Sequence, residues 1–331
     1  MKMAVIGAGS WGTTVAALAS QTSEVMLWAR RTDLSEAINQ TRQNADYLPG
    51  FDLPAGLAAT SDLDEALDGA DVVVIGVPSH GVRAVLEDAA PYIGQSTPIV
   101  SLTKGLEIGS NMRMTEVIAD VLADHDRAGI GVLTGPNLAR EIIAGQPAAS
   151  VISVPDEEIA GALQNMFMGP TLRIYSNTDV VGCEMAGSLK NVMALAAGMA
   201  RGLGYGDNSM ATLITRALAE LSRLGAAMGG RPATFAGLAG MGDLIATCIS
   251  PLSRNQRVGV ALGEGKQLEE IVAEMNMVAE GVKTTPVVVE LATAAGVEMP
   301  IATQVHRVLG GQPVTQMLTE LMGRPPKAES A

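Results

Sequence analysis

Short apolar runs, each closed by glycine, proline or a charged residue, fill the first half of the chain, and longer stretches of helical spacing fill the second. Residues 3–6 form a fully apolar run suited to a buried parallel strand. Residues 24–31 read as a second strand, and 71–78 as a continuous β-branched run that ends at proline, hence a central strand. Residues 98–104 and 130–136 follow the same pattern, and 149–154 and 172–175 are candidates to extend the sheet. Between them, 13–20 is Ala-rich and reads as a helix, and 60–67 opens with a cap and an acidic first turn, predicting a short helix. Residues 41–54, which contain Tyr47-Leu-Pro-Gly-Phe51, carry the proline and glycine of a loop. Beyond about residue 180 the spacing turns helical and no convincing strand run recurs. The pattern predicts an α/β domain with a mostly parallel sheet over 1–180, followed by an all-α domain over 181–325, with the site in the cleft between them.

The first strand runs without a gap into Gly7-x-Gly9-x-x-Gly12, and a helix follows. In the dinucleotide fingerprint the first glycine makes the turn, the second lets backbone approach a pyrophosphate, and the third lets helix pack on strand. The pyrophosphate then sits over free N–H groups at the positive end of that helix. A glycine triplet is weak evidence in a chain with 37 glycines, but a strand before it and a helix after it make this one specific. The uncharged stretch 3–23 behind Lys2 has a second reading, a signal peptide, but three glycines interrupt any apolar region it would need. The first domain is therefore read as Rossmann-type. At the end of the second strand, where an NAD site usually places an acid for the ribose, stand Arg30 and Arg31. Guanidinium there accepts a 2′-phosphate and favours NADP over NAD; the alternative is two solvated arginines at a helix start.

Composition narrows the class of partner. The 331 residues are 47% hydrophobic and 17% charged, which describes a packed chain long enough for two cores. Aromatics are only 3%, so Ala, Val, Leu, Ile and the 18 methionines must fill those cores. No run is read as a membrane span. A net charge of -13 argues against nucleic acid or an anionic membrane as partner, and an anionic ligand would need a locally positive site. The two cysteines, Cys183 and Cys248, make no disulfide framework and suit a reducing cytoplasm. His80, His125 and His306 are scattered without ligand spacing, so no metal is expected.

Four residue groups carry candidate chemistry. Lys190 is the single charged residue between Met185 and Ala200, on a stretch apolar nearly all round. A helix of that kind is buried, and burial brings an amine toward the range of a working proton donor. The plainer reading is a lysine that snorkels from a domain surface. Asp243 in Ala239-Gly-Met-Gly-Asp-Leu244 is a candidate partner for Lys190, or simply a turn aspartate. Ser253-Arg-Asn-Gln-Arg257 reads as a helix start capped by Ser253, where N–H groups and Arg254 form a phosphate site or merely a basic first turn. Lys104 ends a strand at the ligand edge of the sheet, unless it is only solvated there.

The chain resembles the bacterial NAD(P)-dependent glycerol-3-phosphate dehydrogenases. The resemblance rests on Gly7-Ala-Gly-Ser-Trp-Gly12, Tyr47-Leu-Pro-Gly50, Val77-Pro-Ser79, Thr103-Lys-Gly105 and Gly135-Pro136. It continues through Gly187-Ser-Leu-Lys-Asn-Val192, Gly202-Leu-Gly-Tyr-Gly-Asp-Asn208, Gly240-Met-Gly-Asp-Leu244, Ser253-Arg-Asn255 and Ala279-Glu-Gly281. The resemblance implies interconversion of dihydroxyacetone phosphate and sn-glycerol 3-phosphate, with Lys190 as general acid/base beside Asp243. It implies Lys104, Gly135, Asn137, Ser253, Arg254 and Asn255 around the substrate. For NADP or NAD it implies Ser10, Trp11, Arg30, Lys104, Ala139, Arg254, Val278 and Glu280, with Arg31 extending the positive patch. It further implies a homodimer in the cytoplasm that supplies phospholipid synthesis. Asn137-Leu-Ala139 stands where the family usually has Ser-Phe-Ala, and Asn137 keeps the capacity to hydrogen-bond. Two rival readings are a lysine-dependent dehydrogenase of ketopantoate or β-hydroxyacids, whose substrates lack the phosphate that Ser253-Arg-Asn255 suits, and a dinucleotide-binding sensor without turnover.

Overall fold

In the computed structural model, which describes residues 1–275, 279–326 and 328, eight strands form one sheet. They are β1 (Lys2–Ile6), β2 (Glu24–Trp28), β3 (Ala58–Thr60), β4 (Val72–Ile75), β5 (Ile99–Ser101), β6 (Ile130–Thr134), β7 (Ala148–Ser153) and β8 (Leu172–Asn177). Their order is β3-β2-β1-β4-β5-β6-β7-β8, and every neighbouring pair is parallel except β6 and β7. β4 and β5 are buried along their whole length, which is why they read as unbroken apolar runs rather than alternating ones.

The chain leaves β1 toward β2 and β3, then returns to β4 on the other side of β1. That reversal opens a crevice at the carboxyl ends of β1 and β4, where open α/β sheets bind ligands. Gly7 turns the chain there with φ of 122°, and a Cβ on it would lie 2.7 Å from the Gly76 carbonyl after β4. Only glycine satisfies both the backbone angle and the approach.

Several boundaries differ from the sequence reading. The helix after the glycine turn begins at Ser10, so the third glycine lies inside it. β2 stops at Trp28, which leaves Arg30 and Arg31 beyond the strand. Thr60 ends β3 instead of capping a helix, and the Asp62 carboxylate caps helix Leu63–Leu67, accepting from Asp64 N at 2.9 Å. The stretch Pro232–Ile249 has the length and mean hydropathy, 1.3, of a possible span, against the expectation that no run would. It is broken into three helical pieces, 44% of it is buried, and its Asp243 is ion-paired twice.

After β8 the chain is helical, built around Val180–Gly202, which is buried without interruption from Gly182 to Met199. Methionines 185, 193, 199, 210, 299 and 317 fill the core around it. Helix Arg254–Gly263 crosses it at backbone distance: a Cβ on Gly198 would lie 2.1 Å from Gln256 O, and one on Gly259 2.2 Å from Leu195 O. Buried Glu184 ties this central helix to the start of helix Met114–Val121, taking Thr115 N at 2.9 Å and Arg113 Nη1 at 2.9 Å. The central helix is thereby fixed against the sheet edge that carries Lys104 and Gly135.

Candidate active site

Three chain segments bring their charges to one point. Lys104 follows the end of β5, Gly135 follows β6, and Lys190 sits in the middle of the central helix. Asp243 is the first residue of helix Asp243–Ile249, just past the π-turn Leu238–Gly242. Its Oδ1 accepts from Lys190 Nζ at 2.8 Å and its Oδ2 from Lys104 Nζ at 2.6 Å. Lys190 also donates to Thr247 Oγ1 at 2.6 Å, one helical turn beyond Asp243, and Lys104 donates to Gly135 O at 2.8 Å. Each ammonium has three N–H groups and spends two of them here, leaving one apiece for a ligand.

The electrostatics follow from burial. Desolvation alone would push the Asp243 carboxyl up, but Lys104 and Lys190 together hold it below the usual carboxylate range. Desolvation, joined by repulsion from Lys190, lowers the Lys104 ammonium to about 8, and Asp243 opposes the fall.

Beside this centre, the Ser253 hydroxyl caps helix Arg254–Gly263, accepting from Gln256 N at 3.2 Å. At the N-terminal end of this helix the first-turn N–H groups lack partners within the helix, that of Gln256 being taken by Ser253. Arg254 stands at that end, open to solvent on one side and surrounded by protein on the others. This partial desolvation lowers its guanidinium from the ordinary value while Glu280 opposes it, and it remains a cation. Both polar atoms of the Asn255 side chain are engaged: Nδ2 donates to Asn191 Oδ1 at 2.9 Å, and Oδ1 accepts from Gly281 N at 2.9 Å. Asn137 accepts from the Ser150 hydroxyl, while its buried Nδ2 has no partner among the described residues.

On the dinucleotide side, a Cβ on Gly12 would lie 2.1 Å from Gly7 O, whereas one on Gly9 would meet only Gly76 O, at 3.9 Å. Gly9 thus faces open space at the start of helix Ser10–Ala19, as a pyrophosphate cradle requires. The Ser10 hydroxyl donates to Tyr47 O, and buried Asn44 donates to Ala8 O and Thr13 Oγ1, both at 2.8 Å. These bonds bind the loop after helix Thr32–Thr41 to the glycine turn. Trp11 Nε1 is buried without a partner among the described residues. Ala139 opens helix Ala139–Ile143, which packs on Ser10–Ala19. Glu280 takes Ser79 N at 3.2 Å and Ser79 Oγ at 2.6 Å, a contact across 201 residues of chain. The two arginines read together in the sequence separate: Arg31 pairs with Asp46 and with Asp33 at 3.4 Å, while Arg30 is exposed and makes no ion pair among the described residues. Val278 lies outside the described residues.

The model of the NAD-dependent glycerol-3-phosphate dehydrogenase N-terminus matches residues 2–160, and that of the C-terminus matches 179–319. The chain belongs to this family. It is similar to a glycerol-3-phosphate dehydrogenase [NAD(P)+] of Sphingopyxis alaskensis, 57% identical over 94% of this chain and 93% of that one. A Streptomyces coelicolor relative of the same name is 52% identical over 99% of this chain and 98% of its own. Among solved structures, the glycerol-3-phosphate dehydrogenase of Coxiella burnetii superposes with a TM-score of 0.91 at 38% identity, covering 98% of this chain and 99% of that one. Membership of this dehydrogenase family decides against the ketopantoate, β-hydroxyacid and sensor readings.

Three polar contacts of the site were not read from the sequence. Thr247 was legible in principle, since it stands four residues after Asp243 on one helix face. The Ser79–Glu280 bond and the Asn191–Asn255 bond join residues 201 and 64 positions apart, and no local pattern announces either.

Proposed function

We propose that this glycerol-3-phosphate dehydrogenase works through Lys190 as general acid/base, with Asp243, Thr247 and Lys104 setting its position and field. The reaction is reversible NAD(P)H-dependent reduction of dihydroxyacetone phosphate to sn-glycerol 3-phosphate. The observation that carries the reading is one buried carboxylate holding two ammonium groups, each with an N–H to spare, at the ligand edge of the sheet.

The nicotinamide, when bound, supplies the hydride to C2. As C2 receives it, negative charge grows on the carbonyl oxygen. Lys190 donates a proton to that oxygen, held on line by Asp243 Oδ1 and Thr247 Oγ1. Lys104 adds positive charge beside it from a site that needs no reorganisation. Ser253 and Arg254, with the backbone N–H of Asn255, receive the phosphate, so remote binding energy orients C2. Asn137 Nδ2 supplies a further donor to the substrate, and Gly135 lines it through the carbonyl that holds Lys104. Gly7, Gly9, Ser10, Trp11, Gly12, Arg30, Ala139 and Glu280 form the dinucleotide groove, with Val278 assigned to it by family resemblance alone. The same resemblance supports a cytoplasmic homodimer that feeds phospholipid synthesis.

Lys190→Ala tests the assignment. It should lose about 10²–10⁴-fold in kcat while cofactor affinity holds, as removal of a general acid does. Single-turnover reduction at the wild-type rate would overturn it.

A further inference from the structure

A cleft of about 350 Å³, within the size range of small-ligand sites, lies where the edge strand β8 meets the π-turn Leu238–Gly242. Val151, Leu238 and Ala239 give it an apolar floor, and Tyr175, Asn177 and Arg231 a polar wall. That wall is positive. The Tyr175 ring is 45% exposed in a chain with 3% aromatics, and the Arg173 guanidinium lies 5.2 Å from its centroid. Neither Arg173 nor Arg231 makes a side-chain hydrogen bond or ion pair among the described residues, although acidic residues outnumber basic ones 35 to 22. Buried Asp179 is engaged with backbone instead: its Oδ1 takes Gly182 N at 2.9 Å, and its Oδ2 takes Arg231 N at 2.7 Å and the Thr234 hydroxyl. Asp179 N in turn donates to Asn177 Oδ1 at 2.8 Å, so the remaining end of that amide is a donor.

We propose that this cleft is a regulatory site for a small organic anion, a carboxylate or phosphate monoester on an apolar body. The anion pairs with the Arg231 guanidinium in a charge-assisted bond, and the Asn177 amide donates to it. The body lies against the Tyr175 ring and Leu238. Two structural links lead from here to the reacting centre. Leu238 opens the π-turn, a rare geometry that recurs at functional sites. A Cβ on Gly242 would meet the Leu238 side chain at 3.5 Å and Pro136 at 3.8 Å, and Gly242 N closes the turn on Gly237 O at 3.1 Å. Asp243 follows directly. On the other wall, Asp179 holds Arg231 N and is also the N-cap of the central helix Val180–Gly202. The cleft is thus bounded by the turn that presents Asp243 and by the cap of the helix that presents Lys190. A body wedged against Leu238 displaces Asp243 from Lys190 and slows proton transfer without entering the substrate site. This effect on turnover rests on the reading of Lys190 and Asp243 as the reacting centre; occupation of the cleft does not.

Fluorine NMR of para-fluorobenzoate and para-fluorophenyl phosphate reads the binding, with para-fluorobenzyl alcohol as the neutral control and with NADPH and glycerol 3-phosphate filling the reaction site. At least one anion should broaden and the alcohol should not; the anion that broadens identifies the headgroup. Arg231→Ser keeps the backbone bond to Asp179 and should abolish the broadening. Binding of neither anion, equal binding of the alcohol, or binding that survives in Arg231→Ser would overturn the site. In assays with dihydroxyacetone phosphate and NADPH, the bound anion should lower kcat about fivefold or more and leave both KM values within about twofold. A raised KM for the ketone with kcat intact would place the anion in the substrate site instead. A covalent probe tests the same link without relying on a ligand. Cys183 and Cys248 are buried, whereas Ser176 is exposed in the cleft wall. In Ser176→Cys the introduced thiolate displaces methanesulfinate from benzyl methanethiosulfonate and keeps the benzylthio group as a mixed disulfide. The labelled enzyme should lose kcat and dithiothreitol should restore it; full activity after labelling would sever the cleft from the centre. Failure of the Lys190 assignment shows separately, as turnover in Lys190→Ala, and leaves the NMR comparison readable.

Discussion

Asp243 tolerates complete burial because two cations share it, and removing either proton changes what the other feels. The consequence is a pH dependence with a definite sign. Lys104 is held near 8 by burial and by Lys190, so as pH rises through that value it becomes neutral and its positive charge leaves the reacting centre. Reduction of dihydroxyacetone phosphate should therefore fall on the alkaline side with an apparent pKa near 8 that belongs to the coupled group. In Lys104→Arg the guanidinium stays charged, and that limb should vanish even if the rate is lower. A wild-type kcat/KM profile that is flat to pH 9.5 would remove Lys104 from the centre. At this scale the sequence was informative wherever a residue was out of place. A single lysine in an apolar helix and a serine before a basic turn both announce themselves. Thr247 does not, because a threonine in a helix is ordinary until its neighbour is known.

The helical half depends on a cap supplied from outside. Helix Pro300–Leu309 has Met299 at its N-cap and no side-chain cap of its own. Buried Glu220, from helix Asp207–Ala227, takes Ile301 N at 2.8 Å and Ala302 N at 3.4 Å instead. Desolvation pushes its carboxyl up to about 7; the two N–H groups, Arg223 and Arg324 oppose that without reversing it. A carboxyl raised on folding contributes stability that is complete below its unfolded value, near 4.5, and lost as pH passes through about 7. The full effect is on the order of 3 kcal/mol. Glu220→Gln keeps an acceptor for Ile301 and cannot ionise. The difference in thermal midpoint between Glu220→Gln and wild type should thus rise by a few degrees between pH 5.5 and 8. A difference that does not change with pH would mean that Glu220 folds already charged. Elements of this half were legible as helices from spacing, and Ser253 as a cap, while the cap of Pro300–Leu309 was not, because its carboxylate lies 81 positions away. In the sheet, the three-residue β3 was missed since Ala58-Ala-Thr60 is too short for any period to show.

For the molecule as a whole the problem is to draw doubly anionic ligands into a chain of net charge -13. The fold sets Lys104 and Lys190 on one buried carboxylate, puts Arg254 at the head of helix Arg254–Gly263, and leaves Arg30 exposed with no ion pair among the described residues. Arg30 and Arg31 look equivalent in sequence, and proximity to β2 alone gives no means of choosing between them. Asp46, 15 residues on, makes the choice by binding Arg31, whose pKa the bond raises. An arginine already satisfied gains little from a 2′-phosphate, since the new bond replaces an old one; an unpaired one gains the whole charge-assisted bond. Arg30→Ala should therefore raise KM for NADPH about tenfold and leave KM for NADH nearly unchanged. Arg31→Ala should alter the ratio of the two by less than about threefold, its main effect being release of the loop that Asp46 anchors. Steady-state rates at 340 nm with each cofactor give both numbers. Loss of NADPH selectivity in Arg31→Ala instead would mean that the Asp46 pair opens when the dinucleotide arrives, and would move the phosphate site one residue along the chain.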